Sequence, residues 1–389
     1  MKVAYFSDSY KPYISGVVRS VDLFTQKLRE RGDEVYIFAP DYPEAEEEEG
    51  VYRFKSIPAF THPSFRLALP LSVKLTRRLR KIDPDIIHTH SPFLLGLLAR
   101  IMANRLDIPL VFTYHTLYEE YAHYVPLGEN LIRSLALKYS KNYCENSDLI
   151  IAPSDYVRKK LKKMGVNTPI TVIPTGIDFA PYGEVESDWV REEFARSPEE
   201  KLLLFVGRLG EEKYIPLLLE SFVEIQRKRP ETRLILVGDG PVKNDLIEVR
   251  DELGLKDKVD FAGQYPPRQV VSFYQACDLF VFTSPTETQG LVLAEAMAGG
   301  MPVVSVDAAG AQAIIEDGRE GYLVEMGDKK GFVRAVISAL CDERKYEKMS
   351  KMARDKAEMY SMENVTDRLR DAYIDLIADN DDKKPRQLA

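Results

Sequence analysis

Residues 279–300 read L-F-V-F-T-S-P-T-E-T-Q-G-L-V-L-A-E-A-M-A-G-G. Leu279 to Thr283 is a short apolar run of strand length, Pro285 to Gln289 is turn-like, and Gly290 opens a series of good helix formers with no proline before Pro302. The stretch is a strand-turn-helix unit, the building block of an α/β fold. Its predicted helix start at Gly290 and Leu291 leaves backbone N–H groups unpaired and carries partial positive charge, which suits a phosphate. Glu287 lies just before that start and Glu295 further in, where they could accept from sugar hydroxyls and from a ribose respectively. A carboxylate offers about four acceptor sites and no donor, which matches a polyol. On spacing alone a capped surface helix with two solvated glutamates fits these residues equally well.

Outward from this unit the same alternation recurs. Val3 to Ser7, Glu34 to Ala39, Ile86 to Thr89, Leu110 to Tyr114, Leu149 to Pro153 and Thr171 to Pro174 read as buried strands, with helices such as Val17 to Arg31 and Ile132 to Asn146 between them. A second series follows at Leu202 to Val206, Arg233 to Val237, Lys258 to Ala262, Leu279 to Thr283, Pro302 to Val306 and Tyr322 to Val324. The prediction is two Rossmann-like doubly wound α/β domains facing a cleft, with ligands at the carboxyl ends of the strands. The domains are placed at 1–176 and 201–361. Residues 177–200 are taken as a polar linker with one short helix. A helix is placed at 362–378, and the charged residues 379–389 are expected to be disordered.

Composition is ordinary for a soluble globular protein and agrees with two domains: 389 residues, 45% hydrophobic, 29% charged and a net charge of −8. No apolar run approaches membrane-spanning length and the first strand begins at Lys2, so neither a transmembrane helix nor a signal peptide is expected, and the location predicted is cytoplasmic. Cys144, Cys277 and Cys341 are widely spaced and read as reduced structural thiols. Residues 1–180 hold 24 Lys and Arg against 21 Asp and Glu, so the negative balance lies in the remainder. From Phe65 to Ile82 there are six basic residues, Arg66, Lys74, Arg77, Arg78, Arg80 and Lys81, and no acid. A helix from Pro70 to Ile82 would align Leu71, Leu75, Leu79 and Ile82 on one stripe, the pattern of an interfacial helix on an anionic membrane and equally of a helix packed into a core. The basic tracts are local, and with no reader motif nucleic acid is not a predicted partner.

Several residues outside the opening unit fit phosphate and sugar chemistry. Gly16 follows the first strand, where a missing Cβ lets backbone approach a ligand. A G-x-G-x-x-G fingerprint is missing, which counts against a nicotinamide dehydrogenase. Arg208 and Lys213 follow the first strand of the second series, and two cations there would neutralise a diphosphate leaving group; beside Glu211 and Glu212 they could also be ordinary surface residues. The D-x-D at Asp83-Pro84-Asp85 reads as a turn and not a metal site. His88 and His90 alternate on one strand, His115 ends the next and His123 lies beyond, a spacing also open to zinc.

Six ordered blocks carry a resemblance: Gly16, T-Y-H-T around His115, I-P-T-G-I-D at 173–178, Val206-Gly207-Arg208 with Glu212-Lys213, G-D-G-P at 238–241, and T-E-T-Q-G-L-x-x-x-E-A-M-A. Together they resemble the retaining glycosyltransferases of family 4, of GT-B architecture, over about residues 1 to 365. Lys213 is followed by Tyr214, where the family commonly has a small or amide residue. The resemblance implies a nucleotide-sugar substrate bound by the 201–361 domain, an acceptor bound by the 1–176 domain, a helix at 362–378 that crosses back to the first domain, and no metal or other cofactor. His115 and Glu287 would be the catalytic contacts to the sugar, and Gly16, Arg208, Lys213, Gln289, Gly290, Leu291 and Glu295 would bind the donor. It implies attack by the acceptor hydroxyl on the face the diphosphate leaves, with the phosphate as base; a covalent intermediate would need a carboxylate that nothing in the sequence nominates. The 65–82 segment, H-T-H-S-P-F at 88–93 and T-L-Y-E-E-Y-A-H-Y at 116–124 are most similar to bacterial diacylglycerol glucosyltransferases. That likeness implies transfer from UDP-glucose to diacylglycerol by a protein peripheral on the inner face of the cell membrane. Tyr118, Tyr121 and His123, with the six basic residues, would then meet acceptor or membrane. A soluble sugar, polyol or lipid-linked glycan is the alternative acceptor; a nucleotide-sugar epimerase and a sugar-binding protein are rivals of other classes.

Overall fold

The computed structural model describes residues 1–59, 65–69, 75–116, 129–287 and 289–383. The chain forms two units, Met1–Gly176 joined by the segment from Met362 onward, and Ile177–Ser361.

In the first unit, β1 (Lys2–Phe6), β2 (Glu34–Pro40), β3 (Val51–Phe54), β6 (Ile86–Thr89), β7 (Leu110–Thr113), β8 (Leu149–Ala152) and β9 (Ile170–Val172) form one parallel sheet. Its order is β3-β2-β1-β6-β7-β8-β9. A separate antiparallel hairpin pairs β4 (Ser56–Pro58) with β5 (Arg66–Ala68). The helices are α1 (Gly16–Glu30), α2 (Leu75–Ile82), α3 (Leu94–Leu106), α4 (Glu129–Glu145) and α5 (Asp155–Lys163). Every residue of β6, β7 and β8 is buried, as the central strands of a sheet covered on both faces must be. Ser15 caps α1 by accepting from the Val18 N–H at 3.2 Å, and Ser154 does the same for α5.

The second unit begins with α6 (Ala180–Glu184) and α7 (Asp188–Phe194). Its sheet holds β10 (Lys201–Val206), β11 (Thr232–Val237), β12 (Val259–Gly263), β13 (Leu279–Phe282), β14 (Val303–Val306) and β15 (Gly321–Val324), in the order β12-β11-β10-β13-β14-β15. The helices α8 (Ile215–Lys228), α9 (Lys243–Glu252), α10 (Pro267–Ala276), α11 (Leu291–Ala298), α12 (Ala309–Ile314), α13 (Lys329–Leu340) and α14 (Glu343–Glu358) complete it. Both sheets run outward from the first strand in one direction and then in the other, so each has one point where the direction reverses: β1 beside β6, and β10 beside β13.

The last helix, α15 (Met362–Lys383), belongs to the first unit. Met362, Val365, Leu369 and Tyr373 fall at helical spacing and enter the core beside Tyr5, Val21 and Phe24. Gly176 makes room for its start, since a Cβ there would meet Met362 Sδ at 2.4 Å and Val365 Cγ2 at 2.5 Å. Asp33 ties it polarly, accepting from Arg370 Nε and from the N-terminal amine, both at 2.8 Å. Burial opposes that charge, yet these two cations hold the Asp33 carboxyl below its ordinary range.

Two expectations need correction, and one open alternative is resolved. Residues 177–200 hold two helices, and Ile177, Val190 and Phe194 enter the core of the second unit, because three apolar side chains among the charges are enough to dock the segment. The last helix runs to Lys383, past the predicted end at 378. The described turns of α2 bury Leu75, Leu79 and Ile82 against Phe6, Phe38 and Leu95, so the stripe serves the core and not a lipid surface. Leu71 and Lys74 lie outside the described residues. The twelve predicted strands are present; β3, β4 and β5 were not predicted, being short edge or hairpin pieces without a buried apolar run. Cys144 and Cys277 are buried, Cys341 is exposed, and all three are free.

Removing the Leu369 side chain should unfold the first unit more easily. We expect Leu369→Ala to lose about 2–5 kcal/mol and Ile374→Ala, whose side chain is exposed, to stay within about 0.5 kcal/mol of the parent. Urea titration of both variants checks this, and equal midpoints would contradict the docking of α15.

Candidate active site

The switch point of the second sheet gathers residues from two loops. After β10 the chain passes through Gly207 and Arg208 into a 3-10 turn, Glu211–Lys213. After β13 it passes through Thr283 and Ser284 toward Glu287. The loops are tied together: Thr283 Oγ1 donates to the Lys213 carbonyl at 2.8 Å and Ser284 Oγ to that of Glu212 at 3.4 Å. Lys213 Nζ consequently sits 3.4 Å from both Ser284 Oγ and Glu287 Oε2, and 5.4 Å from the centre of the Phe282 ring. The side chains of Lys213 and Glu287 are 17% and 22% exposed, so the pair is held yet open on one side.

Arg208 is placed differently. It is 62% exposed and bonded to Glu212 at 2.7 Å, so the structure does not hold it beside Lys213. Glu295, in α11, accepts from the Tyr274 hydroxyl at 3.1 Å. Gly290 is the N-cap of α11 with φ 70°, and Gln289 and Leu291 flank it. Thr288 lies outside the described residues. A Cβ on Gly290 would come 2.5 Å from the Gly310 carbonyl oxygen, and one on Gly310 would come 2.4 Å from the Glu287 carbonyl oxygen. Gly310 also donates its N–H to that carbonyl at 2.9 Å, so α12 fixes the backbone that carries Glu287. Gly310 stands outside the six ordered blocks, and A-A-G-A gives no pattern that could have exposed it. The G-D-G-P block has a similar supporting part. A Cβ on Gly238 would meet the Gly207 carbonyl oxygen at 1.9 Å, and one on Gly240 that of Leu209 at 2.2 Å. These glycines let one loop lie directly on the other, with Leu209 N–H donating to the Asp239 carbonyl at 2.9 Å.

The switch point of the first sheet holds a stack of imidazoles. His88 and His90 lie with ring centres 4.3 Å apart, and His90 and His115 at 5.3 Å. Tyr5 presents its edge to both His88 and His90. His88 is bonded to Thr113 Oγ1 at 2.7 Å and to the Tyr373 hydroxyl, which in turn lies 3.3 Å from Tyr5 Oη. His90 Nδ1 is 3.0 Å from His115 Nε2. These contacts use the nitrogens as hydrogen-bond groups. Among the described residues no set of three or more His, Cys, Asp or Glu is arranged for a metal ion, and the zinc reading of these histidines gains no support. Gly16 opens α1 in the same unit, and a Cβ there would meet nothing within 4 Å, so the protein's own packing does not require glycine.

The proposed acceptor residues divide. Tyr118, Tyr121, His123 and Lys74 lie outside the described residues. Arg66 is bonded to Ser56 Oγ at 2.7 Å and to the Ser56 carbonyl at 2.8 Å, holding the hairpin. Arg78 lies over the Tyr52 ring at 4.2 Å. Arg77, Arg80 and Lys81 are exposed on the outer face of α2.

Comparison with known proteins assigns the two units. Residues 14–180 match the model of Glycosyltransferase Family 4, and residues 187–356 that of Glycosyl transferases group 1. The chain is 32% identical over 393 residues to an alpha-monoglucosyldiacylglycerol synthase of Streptococcus pneumoniae, covering 99% of this chain and 88% of that protein. The chain belongs to glycosyltransferase family 4. A synthase of the same name from Acholeplasma laidlawii is 30% identical, covering 98% of this chain and 99% of its own length. Anabaena Alr3699/HepE in complex with UDP superimposes with a TM-score of 0.78 at 20% identity, over 96% of this chain and all of that one. That likeness gives the fold, two parallel-sheet α/β domains of GT-B type. The chain is therefore a hexosyltransferase, which sets aside the epimerase and the sugar-binding protein. Glycosyltransferases of this family are metal-independent, and the nucleotide sugar is a substrate and not a cofactor. No helix among the described residues is long and apolar enough to cross a membrane.

The transferase keeps its histidine stack neutral. Burial lowers His115 to about 4, and burial followed by mutual repulsion lowers His88 and His90 well below the ordinary value of 6.5. The unfolded chain therefore binds more protons than the folded one below pH 6.5, and stability rises with pH through that window. Each histidine should remove roughly 1.4 kcal/mol per pH unit as pH falls below its unfolded value. Urea unfolding at pH 7, 6 and 5 should show a fall that is shallower in His88→Asn; parallel curves would contradict the neutral stack.

Proposed function

We propose that the enzyme transfers glucose from UDP-glucose to diacylglycerol, with retention at the anomeric carbon, at the cytoplasmic surface of a membrane. The observation that carries the donor half is the Lys213–Glu287 pair at the switch point: a cation and a carboxylate, 3.4 Å apart, beside the start of α11. A nucleoside diphosphate sugar needs that combination. Lys213 and the unpaired N–H groups of the helix start would take the diphosphate, and Glu287 would accept from sugar hydroxyls. Glu295, steadied by Tyr274, would accept from the ribose. Arg208 would leave Glu212 for the diphosphate, a small loss because an exposed ion pair is worth only about 0–1 kcal/mol. Gly16 would let backbone approach the donor, and neutral His115 would meet the sugar.

In the transfer the acceptor oxygen forms a bond to the anomeric carbon on the face from which the diphosphate departs. The carbon–oxygen bond to phosphate breaks, and the hydroxyl proton passes to a departing phosphate oxygen. Charge grows on the diphosphate, so Lys213 stabilises the transition state more than the ground state. The acceptor half is supported by the near full-length similarity to two alpha-monoglucosyldiacylglycerol synthases. Exposed Arg77, Arg80 and Lys81 on α2 supply charge for an anionic surface. A soluble sugar or polyol acceptor is the second reading, favoured by the burial of the α2 stripe.

Donor turnover should be tested with UDP- and GDP-sugars, with and without diacylglycerol in anionic vesicles, and with EDTA throughout. The expected result is UDP release from UDP-glucose that depends on the lipid and is indifferent to EDTA. Release stimulated by a soluble polyol and not by lipid would replace the acceptor. Lys213→Ala should lose about 2–5 kcal/mol of transition-state stabilisation, the range for stripping one partner from a buried charge pair, and Arg208→Ala distinctly less. Near-normal turnover in Lys213→Ala would contradict the donor assignment.

A further inference from the structure

His90 and His115 share one hydrogen bond, and the rest of the stack decides which of them donates. In a neutral pair, one ring nitrogen carries the proton and the other accepts it. If His115 donated from Nε2, His90 would accept at Nδ1 and carry its own proton on Nε2. His90 is only 2% exposed, and its Nε2 has no partner among the described residues. That assignment would bury an N–H with no acceptor, the costlier kind of unmet polar group. His88 cannot serve as the acceptor, because Thr113 and Tyr373 engage its two nitrogens. The opposite assignment leaves only a bare lone pair at His90 Nε2. The His90 ring is held for this by its stack on His88 and by the edge of Tyr5 at 4.7 Å.

We propose that His90 is a positioning residue: it donates from Nδ1 to His115 Nε2 and thereby fixes His115 as the Nδ1-protonated tautomer. His115 Nδ1 has no partner among the described residues, and the residue is half-buried where His90 is fully buried. Its Nε2 is occupied, so His115 offers a ligand one N–H donor and no acceptor. Such a group recognises the lone pair of a hydroxyl oxygen and rejects an analogue that lacks that oxygen. The proposal rests on the reading that His115 meets the donor sugar, and it adds the atom and the direction of the bond. The ionisable groups that face the stack are Tyr5 and Tyr373, with Asp33 acting on both tyrosines; burial of all three histidines keeps the pair neutral.

The test is nitrogen-15 NMR of the full chain with labelled histidine, without substrate, at pH 7. The expected pattern is a His115 protonated on Nδ1 in the wild type and in His90→Asn, whose amide can still donate. His90→Leu should lose that preference and lower kcat about tenfold, roughly the worth of one hydrogen bond, with UDP binding unchanged. A wild-type His115 protonated on Nε2 overturns the proposal whatever the variants do, and so does an unmoved tautomer in folded His90→Leu. Unaltered turnover in His115→Ala would instead remove the sugar contact on which the proposal rests.

Discussion

At β10 and β13 neighbouring parallel strands send their chains away in opposite directions, and the loops that follow must diverge. That constraint of connectivity creates the place where Lys213 and Glu287 meet. The rest of the second unit holds the two loops there. Thr283 and Ser284 tie one to the other, Gly238 and Gly240 let a third loop lie beneath Arg208, and Gly310 binds the backbone of Glu287. None of these groups need touch a ligand, yet each fixes the separation of the charges that would. A charge pair placed by backbone contacts of this kind loses little when a ligand arrives, which is the meaning of preorganisation.

The first unit solves a different problem with the same topology. Its switch point carries neutral aromatic groups in place of charges, because His88, His90 and Tyr5 are too deeply buried to ionise cheaply. Tyr373 reaches this stack from α15, so the helix that closes the chain also completes the polar interior of the first unit. Membership of family 4 makes the chain that carries both arrangements a hexosyltransferase.

Much of this was legible in the sequence, and for physical reasons. Parallel strands buried on both faces appear as apolar runs, so β6, β8 and β13 were plain, whereas the edge strand β3, with Arg53 among half-buried neighbours, gave no such run. Motif order suggests that Lys213 and Glu287 share a site, but 74 residues separate them and no local pattern sets the distance between their side chains. Arg208 beside Glu211 and Glu212 could also be read as an ordinary surface residue, and the structure leaves it exposed and paired with Glu212. The α2 stripe shows the limit of amphipathicity as a signal: Leu75, Leu79 and Ile82 look the same whether they face lipid or Phe38. The tautomer of His115 depends on an unpaired atom of His90, which no linear pattern encodes.

In the proposed donor site, recognition would turn on the division of labour between Lys213 and Glu287. Calorimetric binding of UDP and of UDP-glucose to the parent, Lys213→Ala and Glu287→Ala tests it most directly. We predict that Lys213→Ala weakens both ligands alike, because both carry the diphosphate, and that Glu287→Ala leaves UDP unchanged while abolishing the extra affinity due to the sugar. Equal losses for both ligands in Glu287→Ala, or parental affinities in Lys213→Ala, would contradict the donor site described above.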